Sequence, residues 1–290
     1  MLNLVDYVAE RQAATYRRRQ GLPRPWSRDP IIAEKFLCSV IRDDDRTCRE
    51  AITYIALEPD STEQFRLARC FRYLNWVPSW IAAHRAGVLG DAKALAALLR
   101  AREAAGEKYL GAQAFKINVK GGVWNIDGIA DCVARLYTSQ WIGKEPTARG
   151  MVAWLIERKF GPFMSYQVMQ DIRWTGHRYS DEDAWALVGP GAARGLLRLA
   201  GRYDEIGRRD QAVGGMRTWL DRRHDAKDIA MQGVSMPREM KEALDELLPL
   251  LRAAVPEINM FEVEHNLCEW DKYCRIATGE SKGRKFVPRS

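Results

Sequence analysis

Histidine is scarce in this chain, with four in 290 residues, at positions 84, 177, 224 and 265. They stand far apart, and the six cysteines (Cys38, Cys48, Cys70, Cys132, Cys268, Cys274) include no C-x-x-C pair. Neither a structural metal nor a dithiol redox centre is therefore expected, and no cofactor is. A G-x-x-x-x-G-K-[ST] loop is missing, and no strand pattern precedes the glycine-rich turn at 189–191, so P-loop and dinucleotide-binding readings fail. No apolar run approaches the length of a bilayer span and no apolar leader opens the chain, so a soluble protein without membrane contact, in a reducing cytoplasm, is expected. Strand-like alternation is confined to "AFKINVKGG" (114–122), read as a short extended segment rather than a sheet.

What is present is helical periodicity and enough apolar residues, 47% of the chain, for one large domain or two lobes. The lobes are placed at about 17–150 and 151–286, sharing a cleft. Helices are expected over 2–19, 31–42, 45–57, 62–74, 76–87, 91–105, 126–141, 147–159, 162–174, 237–253 and 260–277. "DEDAWALV" is also read as helical, and 201–235 as the least regular stretch. The fold class is all-α. A net charge of +7 fits a polyanionic partner only if the basic residues are gathered.

Four stretches carry candidate chemistry. In "ALVGPGAARGLLRLAG" (186–201) the order apolar-x-Gly-x-Gly before a small-residue helix start fits a helix–hairpin–helix turn. The amides near Gly189 and Gly191, with Arg194, would grip a DNA backbone without reading sequence. A plain corner between two helices fits the same residues. "FEVEHNLCEWDKYCR" (261–275) turns Val263, Leu267, Trp270 and Cys274 to a core. It gathers Glu264, His265, Cys268, Asp271, Lys272 and Arg275 on the opposite arc, either a solvated face or a set able to hold a phosphate and move a proton. "KFGPFMSYQVMQDIRWTG" (159–176) brings Gln167 and Asp171 together at i,i+4, suited to the edge of an extruded base or simply to capping a loop. "FRLARCFRYLNWVPSW" (65–80) interleaves arginines and rings, as a nucleic-acid surface or as core; Arg72 and Asn75 are its candidate site residues. The acidic run Asp43–Asp45 beside Arg42 and Arg46 reads as a solvated cap rather than a metal site.

Taken in order, "GLPRPWSRDPIIAEKFLCSVIRDDDR", "FRYLNW", "KFGPFMSYQVMQDIR", "GPGAARGL" and "EHNLCEWDKYCR" resemble the helical, DNA-glycosylase-like domain of phage thymine-hypermodification enzymes. That group includes the helical domain of 5-hydroxymethyluracil DNA kinases, the putrescinyl- or glutamyl-thymine pyrophosphorylases and the amino acid:DNA transferases. The likeness runs from about Arg17 to Phe286. It departs at "FLCSV", where relatives tend to have Phe-Thr-Asn-Val, so an asparagine is missing at Cys38 or Ser39.

The resemblance implies a DNA-glycosylase-like fold and a partner, double-stranded DNA carrying 5-phosphomethyl-uracil in the cytoplasm of an infected host cell. Since no kinase loop is fused to the chain, the step expected is the one after the kinase: displacement of the phosphate by an amino acid, with glycine favoured. Asp171, Glu264, His265, Asp271 and Lys272 are then the catalytic candidates. Arg72, Asn75, Gln167, Cys268 and Arg275 would bind substrate, and Gly189, Gly191 and Arg194 the DNA backbone. A thiolate at Cys268, its pKa lowered by Lys272, adding to C6 of the uracil is an alternative to direct displacement. A glycosylase that excises a modified base and a non-catalytic DNA-binding subunit are the rival functions.

Overall fold

The structure, a computed structural model, describes residues 1–111, 125–140, 145–199 and 238–286. The extended segment expected at 114–122 and the irregular stretch at 201–235 lie outside the described residues. Within them the protein is all-α, with no strand beyond an isolated bridge between Lys35 and Lys285. No described helix is long and apolar enough to cross a membrane. The chain divides into two compact units, Met1–Asp45 with Ser180–Ser290, and Arg46–Tyr179. The division falls at residues 45 and 179, not near 150 as the sequence-based lobes had it.

The continuous unit holds α3 (Arg46–Ala56), α4 (Ser61–Leu74), α5 (Val77–Arg85), α6 (Ala92–Ala104), α7 (Ile126–Thr138), α8 (Ala148–Glu157) and α9 (Pro162–Ile172). Helix α4 is its centre, packed on α7 and α9. Asp60 caps its start through Thr62 N. Phe71 and Tyr73 on it and Trp80 on α5 are buried, so these three rings are core and do not stack on bases, whereas Phe65 and Trp76 are half-buried. Phe71 instead meets Trp80 edge-on at 5.0 Å and Trp174 at 5.6 Å.

The discontinuous unit holds α1 (Leu4–Arg19), α2 (Pro30–Glu34), α10 (Pro190–Leu199), α11 (Arg238–Ala254) and α12 (Met260–Ala277). Helix α12 is its axis. It starts on a capping box, Asn259 with Glu262, and buries Val263, Leu267, Trp270 and Cys274, the expected core stripe. The C-terminal segment docks on α2, with Phe36 N donating to Arg284 O and Phe286 N to Glu34 O.

The expected helix over "DEDAWALV" is absent. Helix α9 ends at Ile172, a 3-10 turn follows over Arg173–Thr175, residues 181–184 make one turn, and 185–189 are irregular. Long-range contacts override local propensity here: Glu182 O accepts from Met260 N at the start of α12, and Trp185–Val188 are buried. The turn before α10 is thus not the elbow of a helical hairpin.

Its glycines have a packing cause. Helices α10 and α12 cross closely. A Cβ on Gly191 would lie 2.3 Å from Cys268 Sγ, and one on Gly195 would lie 2.6 Å from Leu267 O. Gly195→Ala is expected to cost about 1–3 kcal/mol in chemical denaturation. Gly191→Ala should be equally harmful alone and partly restored by Cys268→Ala, which removes the opposing sulfur.

Candidate functional site

The predicted site residues fall into both units, and each group has its own geometry. In the continuous unit, Arg72 and Asp171 form a fully buried bidentate pair, Nε to Oδ2 at 2.8 Å and Nη2 to Oδ1 at 2.5 Å. Arg72 Nη1 also donates to Asn75 Oδ1 at 3.0 Å, and Nη2 approaches Cys48 Sγ at 3.7 Å. Burial alone would lower the Arg72 pKa, but Asp171 and Cys48 more than offset this, and the guanidinium is held firmly charged.

Asn75 ends α4 in the left-handed region (φ 45°). Gly111 closes on that turn: its N–H donates to Leu74 O, and a Cβ there would overlap Asn75 O at 1.9 Å. Asn75 is thus fixed by its Oδ1 while its Nδ2 makes no bond among the described residues; Gln167, half-buried on α9, is likewise uncommitted.

This arrangement corrects two expectations. Asp171 does not stand with Gln167 as an open hydrogen-bonding pair, and a carboxylate fully buried under a guanidinium is not a free proton acceptor. Nor is Asp171→Ala a mild change: it strands a buried charge and should cost about 3–5 kcal/mol in urea denaturation. Asp171→Asn should cost distinctly less.

In the discontinuous unit, the polar arc of α12 is divided between two neighbours. Glu264, Cys268, Asp271 and Arg275 recur at i, i+4, i+7 and i+11 and form the face toward α10. Asp271, fully buried, accepts from three arginines: Arg194 Nε at 2.9 Å and Arg275 Nε at 3.1 Å on Oδ2, and Arg198 Nε at 2.9 Å on Oδ1. Arg198 also reaches Glu280 at 3.2 Å. Asp271, expected among the catalytic groups, is in this geometry committed to three arginines.

Glu264 accepts from Gly189 N at 3.1 Å, so a side chain of the protein already occupies the amide expected to hold a DNA phosphate. Burial pushes the Glu264 carboxyl up to about 7, against the Gly189 N–H and Arg42, which lower it. Cys268 lies against Gly191. Burial, then Glu264, Glu269 and Asp271, push its thiol up to about 12, with Arg194 opposing. The expected lowering by Lys272 is not what governs it, and a neutral packed thiol does not support covalent addition.

The second polar face of α12 organises the irregular segment 36–40. His265 Nε2 lies 3.0 Å from Ser39 O. A carbonyl only accepts, so Nε2 is the donor in this contact. Asn266 donates to Val40 O, and Glu269 accepts from Cys38 N at 2.8 Å and from Lys272 Nζ at 3.2 Å. From α1, Arg11 donates to Leu37 O and Cys38 O. Burial raises the Glu269 carboxyl, but Lys272, His265 and the Cys38 N–H together bring it below its ordinary range. Lys272 is thereby paired, with its ammonium also over the Phe36 ring at 5.4 Å.

Arg198, Glu269, Asn266 and Arg11 escaped the sequence reading. Arg194 and Arg198 at i,i+4 opposite Asp271 and Arg275 were a legible signal; the partner of Glu269, 231 residues away, was not. Among the described residues no group of three His, Cys, Asp or Glu is placed to hold a metal.

The raised Glu264 pKa has a signed consequence. The folded protein holds this proton more tightly than the unfolded chain does, so the contribution is complete below about 4.5 and is lost as pH rises to about 7. Glu264→Gln keeps the acceptor for Gly189 without the charge. It should raise the melting temperature by a few degrees at pH 8 and leave it nearly unchanged at pH 5.

No curated protein and no solved structure matches the chain. A family model does, over residues 1–283, described as the helical domain of 5-hmdU DNA kinase. The match spans nearly the whole sequence, and with it the α10–α12 cluster, the pinned 36–40 segment and the buried Arg72–Asp171 pair. The chain belongs to the family of the 5-hmdU DNA kinase helical domain.

Proposed function

We propose that the protein is an amino acid:DNA transferase of phage thymine hypermodification, acting after a DNA kinase and protecting viral DNA from host restriction. A kinase that acts on 5-hydroxymethyl-deoxyuridine leaves a phosphate ester on the methyl carbon of the base. In the proposed step the amine nitrogen of an amino acid, glycine by preference, forms a bond to that carbon. The carbon–oxygen bond breaks, inorganic phosphate departs with the electron pair, and one amine proton passes to a base on the protein. The target nucleotide leaves the helical stack so that amine and ester meet away from bulk water.

Family membership supports a role in DNA base modification. The observation that supports the finer reading is Glu264, a carboxyl on α12 that accepts from Gly189 N at 3.1 Å and that burial pushes up to about 7, a range suited to a general base. His265, its Nε2 engaged by Ser39 O, is a second titratable side chain one residue on. Arg194 and Arg275 supply the positive charge a departing phosphate needs.

The test is digestion and mass spectrometry of nucleosides after incubating the protein with duplex DNA carrying 5-phosphomethyl-uracil and a mixture of amino acids. A nucleoside bearing an amine in place of the phosphate is expected. An abasic site would make the protein a glycosylase, and unchanged nucleosides with salt-sensitive DNA binding a non-catalytic subunit; either overturns the reading. Glu264→Gln should slow transfer by about 10²-fold or more while DNA binding persists.

A further inference from the structure

Three guanidiniums meet Asp271, and they are not equivalent. Arg198 is nearly buried and engaged on two carboxylates, Asp271 through Nε and Glu280 through Nη2. Arg194 and Arg275 touch Asp271 through Nε alone, both on the same oxygen, Oδ2, and each side chain keeps 28% of its surface exposed. Their Nη groups make no hydrogen bond among the described residues. An arginine in an ordinary carboxylate pair commits a two-nitrogen edge; these two commit one nitrogen each and keep the outer edge open.

Sharing one oxygen also brings the two cations close together, an arrangement that repels itself and persists only because Asp271 is buried beneath it. Across Asp271, Glu280 and the three arginines one positive charge is left over, and it lies at the accessible rim. A buried anion that converges two half-exposed forks is the construction of a phosphate clamp.

We propose that Arg194 and Arg275, aimed by Asp271, form a two-armed clamp for a single phosphate group of the nucleic acid. This deepens the reading that the chain works on DNA, and assigns to one site two arginines expected to act separately. The shared chemistry is a tetrahedral phosphate oxyanion whose oxygens accept from both outer edges. Two sources supply it: a backbone phosphodiester or the phosphate monoester on the modified base.

Binding alone tests this, without any turnover, so its outcome is separate from that of the transferase assay. Fluorescence anisotropy of the whole protein is measured on an unmodified duplex and on the same duplex with one 5-phosphomethyl-uracil, across a salt series. The variants are Arg194→Gln, Arg275→Gln, and the double Arg194→Lys/Arg275→Lys, which keeps the charge beside Asp271 if the glutamine variants fold poorly. Each glutamine variant should bind about tenfold weaker or worse.

If both duplexes are affected alike and the slope of log K against log salt falls by about 0.9 per variant, the clamp holds a backbone phosphate. If only the modified duplex loses affinity, it holds the monoester. The lysine double variant should weaken binding to the same duplex while the salt slope stays, because charge remains and the forks are gone. Folded variants that bind both duplexes as the unaltered protein does overturn the proposal.

Discussion

The carboxylate of Asp271 is fully buried with three guanidiniums on its two oxygens, and much of the discontinuous unit follows from that constraint. A charge so placed is tolerable only with partners in good geometry. The partners come from two helices, so α10 and α12 must cross closely, and they can do so only because positions 191 and 195 lack side chains. The glycine pattern that first suggests a grip on a DNA backbone is, in the structure, what lets Arg194 and Arg198 reach the carboxylate.

Helix α12 performs a second task on its other side. The 36–40 segment has no regular structure, yet its backbone groups are held by Arg11, His265, Asn266 and Glu269. Backbone that is both irregular and buried must find such partners or remain unsatisfied. The result is an irregular segment tied to the half-buried His265 by the bond between its Nε2 and Ser39 O. Holding such a segment through side chains of α1 and α12 is the kind of support a reactive group requires.

The sequence makes most of the described helices legible, because apolar spacing acts locally, but the helix expected over 31–42 stops at Glu34 and 36–40 is irregular. The failures are long-range. "DEDAWALV" has helical composition but lends its backbone to the start of α12. The arginine–aromatic run at 65–80 was ambiguous between surface and core, and burial resolves Phe71, Tyr73 and Trp80 as core. The polar arc of α12 was legible as a set, while its division between α10 and the 36–40 segment was not. Which face of a helix meets which neighbour is decided by distant residues, 77 positions away for Arg194 and Asp271 and 231 for Cys38 and Glu269.

In the proposed reaction Glu264 trades stability for chemistry. Above neutral pH its charge weighs against the fold, and a neutral side chain there would be easier to bury. That the protein keeps a carboxyl at this point fits a group retained for proton transfer. Asp271 is the opposite case, a charge on which the local structure rests. Urea denaturation of Asp271→Asn, alone and combined with Arg198→Met, measures that directly. The account predicts a loss of about 3–5 kcal/mol for the single change, part of it regained in the double variant. An Asp271→Asn protein as stable as the unaltered one would contradict it.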